Sequence, residues 1–242
     1  MAIDNTFLKV LIRAITKYRP QSLRHLKTAC LGYPDLIATR SVLAESFGDE
    51  ILSRWPVSKW ASKIRDWHGL GSREGDIFDT EFLFSTLRLE PTFFDVASHR
   101  NCEIFFDLNE PLDSDYRHQY DLVIDTGTLE HCFNVGVAFQ NMCELTKLEG
   151  LIISAAPLSK VNHGFWCFSP TAYFDGFTQN GFKLLALIGV IPTDHTLRLV
   201  DLDPTSRFKI KPESIAIAVA RRTSLQEFSW PTQSKYLSAI KP

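Results

Sequence analysis

The sequence predicts an α/β protein built on one mostly parallel sheet, and three observations predict it. Short apolar runs such as 122–124 and 151–153 alternate with segments whose apolar residues recur at helical spacing. Several of these runs stop at an acid or a glycine, namely Gly32, Asp95, Asp107 and Asp125. Two later runs, 182–190 and 214–220, follow each other with only a polar connection between them, as an antiparallel pair closing the sheet would. Counting the runs gives seven strands in a single domain over 1–242.

The composition sets the limits. A chain of 242 residues, 45% hydrophobic and 22% charged, can bury one good core. A formal net charge of -2 leaves no electrostatic footprint for nucleic acid or an anionic membrane. Five scattered cysteines without a C-x-x-C pair point to reduced thiols and a cytoplasmic setting. No apolar run approaches the roughly 20 residues that cross a bilayer.

Taken in order, 1–20 reads as a packing helix, with Phe7, Leu8, Leu11, Ile12 and Ile15 on one face and Pro20 helping to end it. The run 28–31 reads as the first strand, and Gly32-Tyr33-Pro34-Asp35 as its turn. A helix follows over 35–47. The segment 46–90, which carries Trp55, Trp60 and Trp67, reads as a long insertion before the second strand, ending in a helix over 77–89 with Pro91 as boundary. It serves either as a lid or as an aromatic anchor, and a dimer contact keeps a homodimer open. Two runs, 92–94 and 103–106, each end in an acid, Asp95 and Asp107. After 122–124 comes Asp125-Thr126-Gly127-Thr128 and then the polar pair Glu130-His131, a helix over 134–147 ended by Gly150, and the strand 151–153. Ser169 and Pro170 open another helix that Gly181 stops.

Three ordered stretches are specific together: Asp107-Leu108-Asn109-Glu110-Pro111, then DLVIDTGTLEHCFN from Asp121, then NHGFWCFSP from Asn162. They resemble bacterial methyltransferase-like proteins of the class I S-adenosylmethionine-dependent superfamily, whose loops read D-L-N-x-P, G-T-L-E-H-x-F-N and H-G-F-Y-x-F-S-P. The resemblance covers about 93–182 and implies a Rossmann-like sheet of seven strands with a C-terminal antiparallel hairpin. It implies S-adenosyl-L-methionine as cofactor, held by the Gly32-Tyr33 turn, Asp95 at the ribose, Asp107 and Leu108 at the adenine, and the Asp125-Thr126-Gly127 loop. The turn after the first strand departs from the superfamily's G-x-G-x-G by keeping only Gly32. Either acid can equally cap a loop.

The activity implied is methyl transfer to a small hydroxylated acceptor, a metabolite or a sugar. His163 is the expected general base, with His131 or Glu130 orienting it or the substrate. A structural hydrogen bond is the other role open to His131. The histidines and cysteines show no recognised ligand spacing, so no metal is expected. Neither a G-x-S-x-G elbow nor a Walker A loop is present. The thin glycine turn keeps a second reading open, a degenerate member of the fold that binds or scaffolds without catalysis.

Overall fold

The structure is a computed structural model and describes residues 2–18, 25–71, 75–194 and 196–239. Pro20, expected to help end the first helix, lies outside them. The chain opens with strand β1 (Ala2–Ile3) and helix α1 (Asn5–Tyr18). Asp4 starts the helix, its Oδ1 accepting from the amides of Thr6 and Phe7 at 2.9 and 2.8 Å, donors that a helix start otherwise leaves open. Phe7, Leu8, Leu11 and Ile15 are buried, as their spacing predicts.

Next come β2 (Leu26–Leu31), β3 (Asp35–Leu36) and α2 (Arg40–Phe47). The helix expected over 35–47 therefore starts late, because Asp35 and Leu36 pair in parallel with Ala2 and Ile3. The expected insertion folds into three helices, α3 (Asp49–Ser53), α4 (Ala61–Trp67) and α5 (Thr80–Leu87). Trp55 anchors this segment, buried and donating from Nε1 to the Asp79 carbonyl at 2.9 Å. Arg88, in the left-handed conformation at φ 57°, ends α5. β4 (Leu89–Asp95) then contains Pro91, which was expected to lie before it. The missing N–H is tolerated there because β5 (Glu103–Phe105) covers only the Phe93–Asp95 half of that edge.

The rest of the chain supplies β6 (Tyr120–Thr126), α6 (Val135–Leu145), β7 (Thr146–Pro157), α7 (Pro170–Thr178), β8 (Phe182–Pro192), β9 (Leu197–Asp201) and β10 (Ile215–Arg222). Ser169 caps α7 by accepting from the Thr171 amide, with Pro170 in the first turn. Gly150 does not end α6. It lies inside β7, where an added Cβ would meet the Tyr120 carbonyl at 3.0 Å and Thr146 Cγ2 at 2.8 Å, so glycine is required by close approach of β6.

The sheet has eight strands in the order β5-β4-β2-β6-β7-β10-β8-β9, where seven were expected. The two late runs do pair antiparallel, Ile215 with Val190 through Arg222 with Phe182. They are not a simple hairpin, because the eighth strand, β9, folds back on β8 from within the connection 192–212. Leu197 and Leu199 of β9 are exposed, so no buried face marks it in the sequence. Alternate residues of each inner strand face opposite layers. Cys30, Ile124 and Ile153 pack with α1, α2 and α5, and Leu31, Val123 and Ile152 with α6 and α7. From β2 the chain runs outward to β4 and β5, then returns to β6 on the other side of β2. That reversal opens a crevice beyond the carboxyl ends of β2 and β6, where open α/β sheets take their ligands. Among the described residues no helix is long and apolar enough to cross a membrane.

Candidate functional site

The crevice is built from loops that a few buried groups hold in place. Asp125, at the end of β6, is fully buried. Its Oδ1 accepts from the amides of Gly127 and Thr128 at 3.2 and 2.8 Å, and its Oδ2 from Ser154 Oγ of β7 at 2.6 Å. Ser154 in turn lies 3.0 Å from the Tyr173 hydroxyl of α7. Burial pushes the Asp125 carboxyl up, and these hydrogen bonds oppose the shift. Asp125 therefore shapes the loop from beneath. Thr128 Oγ1 donates to the Leu31 carbonyl, tying this loop to the end of β2.

Two sequence motifs meet at Glu130. Its carbonyl accepts from the amides of Phe165 and Trp166 at 2.8 and 3.3 Å, so the stretch after β7 lies directly on the stretch after β6. Gly164 permits this, since a Cβ there would stand 2.7 Å from that carbonyl oxygen. Gly127, with φ 97°, leaves room for the carboxylate, whose Oε1 would be 3.0 Å from a Cβ at that position. Glu130 Oε1 lies 3.7 Å from His163 Nε2, and the imidazoles of His131 and His163 have centroids 5.3 Å apart. The other carboxylate oxygen, Oε2, is buried without a hydrogen-bond partner, as is Thr126 Oγ1.

A cavity of about 180 Å³ lies against this junction. Thr126, Gly127, Glu130 and His163 border it, with Lys160 and the N-terminal Asp4. Burial, then the Lys160 ammonium, lowers the His163 pKa from its ordinary 6.5, which leaves a neutral imidazole at neutral pH. His131 is lowered too, by burial and then by His163. Phe133, Phe165 and Trp166 form an exposed aromatic cluster beside it, with the Phe133 and Phe165 rings edge to face at 5.3 Å.

The remaining expected residues lie along the sheet edge outside this cavity. Gly32, with φ 74°, turns the chain, and the Tyr33 amide lies 3.4 Å from Asp95 Oδ2. Asp95 Oδ1 accepts from the Ala97 amide at 3.1 Å. Asp107 Oδ1 accepts from the amide and side chain of Asn109 at 2.9 and 2.7 Å, and Leu108 is buried. Both acids thus make loop-capping bonds and retain further acceptor capacity.

Sequence reasoning missed a buried cluster beside the Gly32 turn. The Arg100 guanidinium lies 3.8 Å over the Tyr33 ring and pairs with Asp35, whose other oxygen lies 2.9 Å from His68 Nε2. Nothing local in the sequence joins these positions. His68 and Lys160, which also border the cavity, were missed for the same reason. A histidine in a lengthy insertion was the one available signal.

No protein-family model matches the chain, and no curated protein matches it. Among solved structures the chain is similar to TehB from Haemophilus influenzae, with a TM-score of 0.46 and 11% identity over 89% of this chain and 62% of that one. The chain thus spans less than two thirds of TehB. It is also similar to the N-methyltransferase NodS from Bradyrhizobium japonicum WM9 in complex with S-adenosyl-l-homocysteine, at a TM-score of 0.45 and 8% identity over 90% of this chain and 85% of that one. A third, 1,6-didemethyltoxoflavin-N1-methyltransferase from Burkholderia thailandensis, gives 0.40 and 16% over 76% and 87%.

Proposed function

We propose that the protein is an S-adenosylmethionine-dependent methyltransferase acting on a hydroxyl of a small acceptor, a metabolite or a sugar. One observation carries the reading. The loops after β6 and β7 bring Thr126, Gly127, Glu130 and His163 to a single cavity beyond the carboxyl ends of those strands, one strand over from the β2–β6 crevice where the strand order reverses. The motif resemblance supplies the chemistry that such a place would serve.

The residues fit the cofactor at three points. Gly32 and Gly127 turn with positive φ and keep side chains away from the crevice. Asp95 has acceptor capacity left for ribose hydroxyls. Thr126 Oγ1, buried and unpartnered, is a polar atom at the cavity wall without a use in the fold. In this reading the Gly32-Tyr33 turn and Asp95 hold the nucleoside, Asp107 and Leu108 flank the base, and Thr126 and Gly127 lie toward the amino-acid end. The cofactor, when bound, supplies an electrophilic methyl group. The chain's own task is to place the acceptor and take its proton. Neutral His163 accepts that proton at the ring nitrogen that does not face Glu130, and Glu130, 3.7 Å from Nε2, steadies the imidazole.

Two observations favour the second reading, a binding or scaffold protein of the same fold. Asp95 already accepts from two loop amides, and the cavity is smaller than the roughly 300–1,000 Å³ of ligand pockets. Calorimetry with S-adenosylhomocysteine separates the two. The methyltransferase reading expects binding that Asp95→Ala weakens by about 1.5–3 kcal/mol, the loss of a hydrogen bond to a charged group. Absence of binding would reject it. His163→Ala should then slow single-turnover methyl transfer about 10²- to 10⁴-fold with cofactor affinity unchanged.

A further inference from the structure

We propose that Glu130, His131 and His163 bind one divalent first-row transition-metal ion of the zinc class at the wall of this cavity. One ligand atom from each of the three lies within 4.8 Å of the others. Glu130 and His131 come from the single turn at Leu129–His131, and His163 comes from the stretch docked on the Glu130 carbonyl. The set was hidden in the sequence because two of its members are adjacent and the third is far along the chain.

Three features mark the place as prepared for a cation. The Glu130 side chain is 2% exposed, and its Oε2 has no hydrogen-bond partner. A buried carboxyl oxygen in that condition costs stability unless a partner reaches it. Gly127 leaves room for the carboxylate and Gly164 for the Glu130 carbonyl and Cγ, so the side chain fits between the two loops. The other two donors are imidazoles on exposed side chains. Bonds of about 2.0–2.2 Å set tetrahedral ligands roughly 3.3 Å apart, so a modest rotation of the two rings closes the present spacing. Two nitrogens and one oxygen form a borderline donor set, suited to zinc-class ions and not to calcium or magnesium. Three protein ligands leave a coordination position open, and Glu130 and His163 both border the cavity. The neighbouring cation, Lys160, borders the same cavity and lies 3.8 Å from Glu213.

A neutral imidazole has one basic lone pair, so ligation uses the lone pair of His163 that proton acceptance requires. Ion-bound and base-competent His163 are therefore alternative states of one residue. The binding claim itself needs neither cofactor nor acceptor.

The test is calorimetric titration of the chelator-treated full chain with Zn²⁺, and visible absorption with Co²⁺, without cofactor. The expected result is one saturable equivalent and the intense ligand-field bands of low-coordinate Co²⁺. His131→Ala, His163→Ala and Glu130→Gln should each weaken Zn²⁺ binding at least 10-fold, and His25→Ala, at an exposed histidine elsewhere, should leave it unchanged. The two histidine variants alter exposed side chains, so they keep the test valid if Glu130→Gln fails to fold. Absence of saturable binding, or affinity that the three substitutions do not alter, overturns the proposal. Because cofactor binding is measured separately, failure of the metal site and failure of the methyltransferase reading give different results.

Discussion

Glu130 carries the clearest consequence at the scale of single residues. Burial, and then repulsion from Asp125, push its carboxyl from an ordinary 4.5 up to about 8. Asp125 accepts three hydrogen bonds, whereas Glu130 has an orphaned oxygen, so the proton of this pair resides on Glu130. The folded chain then holds a proton that the unfolded chain releases above its lower pKa. Stability from this group is complete below about pH 4.5 and is lost as pH rises toward 8, at up to about 1.4 kcal/mol per pH unit. Glu130→Gln cannot ionise, and in chelator it should flatten that slope in urea unfolding between pH 4.5 and 8. An unchanged slope would assign the pH dependence elsewhere. Glu130, His131 and His163 were legible as polar residues beyond apolar strand ends. Their mutual contact was not, because it depends on the Glu130 carbonyl capturing the amides of Phe165 and Trp166.

Among the elements, those carrying their own start signals were read correctly. Ser169-Pro170 opens α7 and the apolar stripe of α1 is buried. Those defined by a distant partner were not. β3 exists through β1, β9 through β8, and Gly150 answers to Tyr120 rather than to the end of α6. Arg222, the last residue of β10, shows the same dependence in energetic form. It is 2% exposed and donates from Nη1 to the carbonyls of Cys143 and Thr146 at 2.6 and 2.8 Å, joining the α6–β7 corner to the sheet. Arg222→Met keeps much of the stem but removes a charged donor from two buried carbonyls, of which that of Cys143 keeps the Thr146 amide, and hydrogen bonds to a charged group are worth about 1.5–3 kcal/mol each. Urea unfolding should show a loss of about 2–4 kcal/mol with little change in m. A loss below about 0.5 kcal/mol, the range of ordinary surface changes, would mean that these contacts are replaceable.

For the molecule as a whole, alternating strands and helices disclosed the layers, and Asp95 and Asp125 stand at the carboxyl ends of their strands as read. Strand order was beyond reach, since β2 meets partners far along the chain on both sides. If the crevice binds S-adenosylhomocysteine, ligand at about 100 times its Kd adds about 2.7 kcal/mol to the native state and should raise Tm by roughly 5–10 °C. A flat thermal shift at saturating ligand would contradict the proposed activity. The position of β10 bears on how the chain reaches this state. β10 lies between β7 and β8 yet follows both in sequence. During synthesis the sheet therefore waits in two pieces, each with a bare hydrogen-bonding edge, until residues 215–222 emerge and join them. Late closure of this kind makes folding slow and leaves the nascent chain open to pairing with its neighbours.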